Sequence, residues 1–247
     1  EMGVNLPGFK KGDRTDIELP AVQRELIDAL HRAGKKIILV NCSGSPIGLE
    51  PETQKCEAIL QAWYPGQQGG KAVAEVLFGD YNPAGKLPVT FYRNVSQLPD
   101  FEDYNMTGRT YRYMQDVPLF PFGYGLSYTT FGYGKTVLDK NELTAGQSLK
   151  LTVPVTNTGK RNGEEVVQVY LRKQGDAEGP IKTLRAFKRV SIPAGKTVNV
   201  EFDLKDKELE WWDDQSNTVR VCPGNYDIMV GGSSKEEDLQ RTTIAIK

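Results

Sequence analysis

The chain has 247 residues, and 31 Lys and Arg stand against 32 Asp and Glu, for a formal net charge of −1. That balance, with no long basic stripe, argues against a nucleic-acid partner. The longest aliphatic run, Ile37-Ile38-Leu39-Val40, is far short of a membrane span, and the length fits one large or two ordinary domains.

The opening, EMGVNLPGFKKGDR, has no basic n-region and no apolar h-region, so it does not read as a signal peptide. It reads instead as the continuation of a longer chain. LPAVQRELIDALHRAG then places Val22, Leu26, Ala29, Leu30 and Ala33 at helical spacing, with Pro20 near the start and Gly34 just past the end. KKIILVNCSG is a continuous apolar run that breaks into Ser and Gly, the pattern of a parallel strand buried on both faces. CEAILQAW is a second such run, followed by the loop YPGQQGG and the helical KAVAEVLFG. Strand, loop and helix in this order predict an α/β layer with a parallel sheet over residues 1–95.

Residues 96–133 are rich in Tyr, Phe, Gly and Pro. A flexible linker is polar, charged or Gly/Ser-rich, so this aromatic stretch is expected to pack along both neighbours. From residue 134 the apolar period becomes two: Leu149, Leu151, Val153 and Val155; Val198, Val200, Phe202 and Leu204; Tyr226, Ile228 and Val230. The turn clusters NTGKRNGEE, IPAGK and CPGN separate these runs. Six or seven such strands predict an immunoglobulin or fibronectin III-like sandwich over residues 134–247.

Cys42, Cys56 and Cys222 are odd in number and lack metal-type spacing. They read as free, mostly buried thiols, with a 42–56 bridge the lesser alternative. No metal site and no cofactor are expected. The triplets at Asn41, Asn94 and Asn105 fit N-glycosylation acceptors and matter only in a eukaryotic secretory pathway.

In open parallel sheets, ligands sit beyond the carboxyl ends of the strands. The loops there are 41–51 and 63–70, with the opening segment as a third. They carry Asp13, Arg14, Ser43, Ser45, Glu50, Trp63, Tyr64 and Gln67, and Glu1 stands at the head of the chain. Carboxylates, amides and aromatic faces suit a sugar crevice. The plainer reading is that the glycines make turns and Trp63 fills core. Sharper motifs fail. GQQGGKA lacks the Walker spacing, and Ala72 follows Lys71 where Ser or Thr is required. A serine triad needs a His, and the single one, His31, lies inside a helix pattern beside Arg32. NCSGSP is not a nucleophile elbow.

Three ordered segments, AWYPGQQGGKAVAEVLFGDYNPAGKLPVTFY, GRTYRY and PLFPFGYGLSYTTFGY, resemble the C-terminal part of glycoside hydrolase family 3, the β-glucosidases, β-xylosidases and related exo-acting enzymes. The resemblance covers essentially the whole chain. It implies the end of an α/β sandwich domain followed by a fibronectin III-like domain, with the family's N-terminal barrel outside this sequence. Retaining glycosidases use two carboxyl groups, one as nucleophile and one as acid/base. The resemblance puts the nucleophilic Asp on the barrel, where nothing in this chain matches it. It makes Glu1, upstream of Gly12-Asp13-Arg14, the candidate acid/base, with the residue just before Glu1 as the alternative. Asp13, Arg14, Ser43 and Trp63 become candidate substrate contacts, and Asp13 with Arg14 also reads as an ion pair pinning its loop. GRTYRY and the GSP loop lean toward the β-xylosidase branch, with β-glucosidase close behind.

The implied partners are an oligosaccharide and the barrel-bearing N-terminal part of the same enzyme, or a second copy of this chain at the open sheet edge. The compartment is left open, with a periplasmic or secreted location favoured. The competing reading is a non-catalytic carbohydrate-binding or structural module. For that reading Trp211 and Trp212 matter, because adjacent strand residues point to opposite faces and one of the two must face outward.

Overall fold

The computed structural model describes Phe9–Lys10 and residues 13–247. Strand β1 (Phe9–Lys10) pairs antiparallel with β2 (Asp13–Arg14). Helix α1 (Ala21–Arg32) follows Pro20, and Gly34 just beyond its end takes φ 67°, a left-handed turn that favours glycine. Strand β3 (Ile38–Asn41), a single helical turn α2 (Glu50–Thr53), strand β4 (Ala58–Gln61) and helix α3 (Gly69–Phe78) complete this half. β3 and β4 are parallel, in register from Ile38 opposite Ala58 to Asn41 opposite Gln61.

Neither strand is buried on both faces, contrary to the expectation from their composition: Ile38 and Ala58 are exposed, and Leu39 and Ile59 are only half-buried. The α1 stripe is also bare, with Val22 70% and Leu26 61% exposed, while Ile27 is the buried residue of the helix. Two strands and two helices do not surround one another. The outward apolar stripe of α1 therefore finds no neighbour among the described residues, and the inward face carries Ile27 with the polar Arg24 and Asp28.

The aromatic stretch runs through α4 (Thr110–Tyr113) to β5 (Phe131–Tyr133). It pairs with the first half through an antiparallel bridge between Phe91 and Phe120, and Leu87 N–H donates to the Tyr124 carbonyl at 2.8 Å. It meets the sandwich through Tyr111, whose ring stacks on Phe122 at 4.3 Å and meets Tyr170 edge-on at 5.9 Å. Gly123, at φ 78°, sits against Gln168, whose amide donates to its carbonyl at 3.1 Å; a side chain at 123 would collide with that amide.

The remaining strands are β6 (Val137–Leu138), β7 (Glu142–Leu143), β8 (Leu149–Asn157), β9 (Gly163–Lys173), β10 (Thr183–Ile192), β11 (Thr197–Leu204), β12 (Trp211–Asp213), β13 (Thr218–Arg220), β14 (Gly224–Gly231) and β15 (Gln240–Ile246). One sheet has the order β10-β9-β14-β15-β7. The other has β11-β8-β5 with β6 also on β8, and β12 and β13 form a separate hairpin. Of the alternating residues named from the sequence, Leu149, Leu151, Val153, Val155, Val200, Phe202, Leu204, Tyr226, Ile228 and Val230 are buried between the sheets, and Val198 packs half-buried against them. The Tyr226 hydroxyl donates to the carbonyl of Cys222 at 2.9 Å, the tyrosine corner of this sandwich class. All three cysteines are free. Cys222 is buried and Cys56 half-buried, but Cys42 is exposed, against the expectation of mostly buried thiols.

Candidate functional site

The parallel pair β3–β4 brings Asn41 and Gln61 side by side at its carboxyl end. The Asn41 amide donates to Gln61 Oε1 at 2.6 Å and to Ser43 Oγ at 3.0 Å. Gln61 Nε2 donates to Ser43 Oγ at 3.2 Å, and the Ser43 hydroxyl donates to the Ser45 carbonyl at 2.8 Å. Two amides and a hydroxyl thus close the strand ends and set the course of the loop that follows.

The loop after β4 turns at Trp63, which holds φ 55°. That region is uncommon for any side-chain-bearing residue and a strained one for so bulky a ring. Packing holds it there: the indole meets Phe91 edge-on at 6.0 Å, Phe91 meets Phe120 at 6.1 Å, and Phe120 stacks on Tyr124 at 5.5 Å. An aromatic ladder therefore runs from the end of β4 into the connecting stretch. Next to it Tyr64 is 79% exposed, and its ring lies over Gly44, where a Cβ would come within 2.5 Å of it. The two loops touch through that contact.

Residues 17 and 18, ahead of α1, are tied to the first loop as well. Gly48 N–H donates to the Ile17 carbonyl at 2.9 Å, and Glu18 bridges Gly48 in parallel. Arg24 reaches across from α1. Its Nε donates to Glu52 Oε1 at 2.9 Å, another of its nitrogens pairs with Glu18, and a third contact goes to the Gly48 carbonyl at 3.2 Å. Burial works against the guanidinium charge, but Glu52 and Glu18 outweigh it and raise the Arg24 pKa above its ordinary value. Glu52 is fully buried. Glu50 pairs with Arg93 at 2.6 Å, and Arg93 Nε donates to the Val117 carbonyl at 3.2 Å, which ties the rim to the connector.

Of the residues named from the sequence, Glu1 lies outside the described residues, as does the side chain of Asp13. Arg14 is exposed, and its guanidinium donates to the Glu18 carbonyl at 2.9 Å, bracing its own turn. Ser43 and Trp63 lie at one end of the sheet, on loops joined by Tyr64 and Gly44. Sequence reading missed Arg24 with Glu52, and Asn41 with Gln61. An amide residue closing each of the two apolar runs, Asn41 after IILV and Gln61 after AIL, was the available signal for the second pair. Nothing local marked the first. Among the described residues no group of three or more His, Cys, Asp or Glu is placed to hold a metal ion, and no helix is long and apolar enough to cross a membrane.

A second polar cluster joins the halves. Lys86 Nζ lies 3.1 Å from Glu165 Oε1, and the Tyr133 hydroxyl donates to the same oxygen at 3.0 Å. Burial pushes the Glu165 carboxyl above its usual range, and Lys86 and Tyr133 only partly oppose it. The Tyr133 hydroxyl is raised well above its ordinary value, first by burial and then by the Glu165 charge.

A short parallel α/β layer with a polar and aromatic rim is continued by a fibronectin-type sandwich. The family model for the glycosyl hydrolase family 3 C-terminal domain matches residues 4–128, and that for a fibronectin type III-like domain matches residues 165–234. The chain belongs to glycosyl hydrolase family 3. A xylan 1,4-β-xylosidase of Xylanibacter ruminicola is 58% identical over 246 residues, covering 100% of this chain and 28% of the relative. A periplasmic β-glucosidase of Salmonella typhimurium is 39% identical over 90% of this chain and 30% of its own length. The solved structure of a β-glucosidase from Erythrobacter marinus superposes with a TM-score of 0.84 at 41% identity, covering 98% of this chain and 32% of that one. The chain thus spans about a third or less of these relatives.

Proposed function

We propose that the chain acts as the C-terminal part of an exo-acting retaining β-glycosidase that removes terminal β-linked xylose, or glucose, from oligosaccharides. The observation that carries this is the joined rim at the carboxyl ends of β3 and β4, in a chain 58% identical along its length to a xylan 1,4-β-xylosidase. In the reaction one carboxyl group attacks the anomeric carbon while a second, about 5–5.5 Å away, protonates the leaving oxygen and later deprotonates water. The nucleophile is assigned to the N-terminal part of the enzyme. Glu1 is assigned the acid/base role from its place upstream of Gly12-Asp13-Arg14 in the sequence. Trp63 and Tyr64 offer aromatic wall to a pyranose, and the Ser43 network holds the facing loop.

The working divisions remain 1–95, 96–133 and 134–247. The partner proposed for the bare α1 stripe and the exposed side of β3 is the N-terminal part of the same enzyme, because an apolar stripe of this kind is ordinarily covered.

The test is a chimera in which this chain replaces the C-terminal 28% of the Xylanibacter ruminicola xylosidase. It should hydrolyse aryl β-xyloside faster than aryl β-glucoside, while the chain alone releases no nitrophenol. Glu1→Gln in the chimera should lower kcat roughly 10²–10⁴-fold. Undiminished turnover in that variant moves the acid/base role to another residue, and a folded chimera without hydrolysis overturns the function.

A further inference from the structure

The hairpin β12–β13 and the loop between β9 and β10 enclose a cavity of about 450 Å³ with the α4 turn of the connector, a size within the range of small-molecule sites. None of the catalytic rim lies in it. Its aromatic wall is Trp212, which is 49% exposed while its neighbour Trp211 is buried. Alternation along β12 accounts for the difference, since Trp211 points into the sandwich and meets Tyr226 edge-on at 6.1 Å. The exposed indole does not swing freely, because its N–H donates to Asp214 Oδ1 at 2.8 Å. The hairpin that carries it is braced in turn, with the Asp213 carboxylate accepting from Ser216 and Arg220 at 2.6 Å each.

The polar lining is unusual. Arg112 and Arg185 both face the cavity, and among the described residues neither makes an ion pair. Arg185 Nη2 donates to the Glu210 carbonyl at 2.5 Å and its guanidinium lies over Trp211 at 5.6 Å, while that of Arg112 lies over Tyr113 at 5.5 Å, but the Nε of each is buried without a hydrogen-bond partner. Buried donors left in this state are rare and costly. Burial, and after it the charge of Arg112, lowers the Arg185 pKa. Four carboxylates line the same space: Asp176 already accepts from Trp211 Nε1 at 2.6 Å and from Gly179 N–H at 2.8 Å, and Asp214 from Trp212, which leaves Glu178 and Glu210 as the open acceptors. Four carboxylates against two guanidiniums disfavour an anionic ligand. Donors and acceptors of both kinds beside a fixed, flat apolar face are what a neutral polyhydroxylated ring needs: hydroxyls to bond at its edge and C–H groups to stack.

We propose that this cavity is a secondary, non-catalytic saccharide site, in which a neutral pyranose stacks on Trp212 and its hydroxyls engage Arg112, Arg185 and Glu178. The choice of β-1,4-linked saccharides rests on the glycosidase reading; the cavity's geometry does not. The site would hold a chain end near the enzyme while the rim works on another.

The experiment titrates the 247-residue chain with xylotriose and with cellotriose, following tryptophan emission and saturation-transfer NMR. A saturable response with a dissociation constant near ~1 mM is expected for at least one of them. Trp212→Ala should weaken it about tenfold, Trp212→Phe should keep most of it, and Glu178→Gln should weaken it about threefold. Val137→Ala, at an exposed position on β6 outside both the rim and the cavity, should leave it unchanged. No response to either saccharide, or an equal response in Trp212→Ala, overturns the site. Binding lost with the hydrolysing chimera intact refutes this inference alone. Binding intact with an inactive chimera refutes the glycosidase reading alone.

Discussion

The two halves of the chain handle their apolar side chains in opposite ways. In the sandwich the alternating residues of β8, β9, β11 and β14 close on one another, and Leu149, Val153, Val169, Leu171 and Tyr226 are wholly buried. In the α/β half Val22, Leu26, Ile38 and Phe78 stay exposed, and among the described residues up to 95 the buried apolar side chains are Ile27, Ile37, Ile47, Leu49, Ala84 and Phe91. A sandwich supplies both of its own layers, whereas a sheet of two strands with a helix on its flank needs more layers to finish the core. The lesson concerns where stability comes from. The second half rests on apolar burial and the first leans on polar ties between loops.

Substitutions in each half test whether the two differ in this way. Leu171→Ala removes a wholly buried side chain from the middle of β9 and should cost about 4 kcal/mol in urea unfolding of the sandwich. A loss below about 1 kcal/mol would mean the core is looser than its burial indicates. Arg24→Met leaves Glu52 buried without its cation and should cost about 3 kcal/mol. The loss should be confined to the first half, read by amide exchange in α1 and β3 with β14 unchanged. Protection falling equally in both halves would show them to unfold as one unit.

Lys86→Met strikes the junction and should cost about 3 kcal/mol at neutral pH. Its pH dependence carries a sign. Glu165 already has a raised folded-state pKa, and removing Lys86 raises it further. A carboxyl raised in this way contributes stability that is fully present below its unfolded pKa of about 4.3 and is lost as pH rises through the folded value. The variant should therefore lie nearest the parent at about pH 4 and fall behind as pH climbs toward neutrality. A gap that stays constant across that range would mean Glu165 does not titrate there. The smallest effect belongs to Leu26→Lys, on the bare stripe of α1. It should shift the stability of the chain alone by no more than about 0.5 kcal/mol. In the chimera with the N-terminal part of the relative the same change should reduce soluble, active enzyme. A large loss in the chain alone would show that the stripe is already covered.

Much of the fold is legible in the chain. Period-two alternation places Leu149 to Val155 and Val198 to Leu204 on strands, because a pleated strand sends every second residue to one face. Apolar runs that break into Gly and Ser place β3 and β4, and strand ends in parallel sheets direct attention to the loops of Ser43 and Trp63. The site is legible only in outline. Arg24 and Glu52 lie 28 residues apart and meet because a helix and a loop happen to be packed together. Lys86 and Glu165 are 79 apart and belong to different halves.

Alternation, turns and the strand–loop–helix order behind the parallel β3–β4 pair are written in the chain, since they follow from local steric and hydrophobic periodicity. Long-range packing, by contrast, sets which face of α1 is covered, holds Trp63 at a positive φ and leaves Trp212 rather than Trp211 to solvent. Period reveals that a stripe or an alternation exists. Which side is buried depends on what packs against it, and that neighbour comes from elsewhere in the chain.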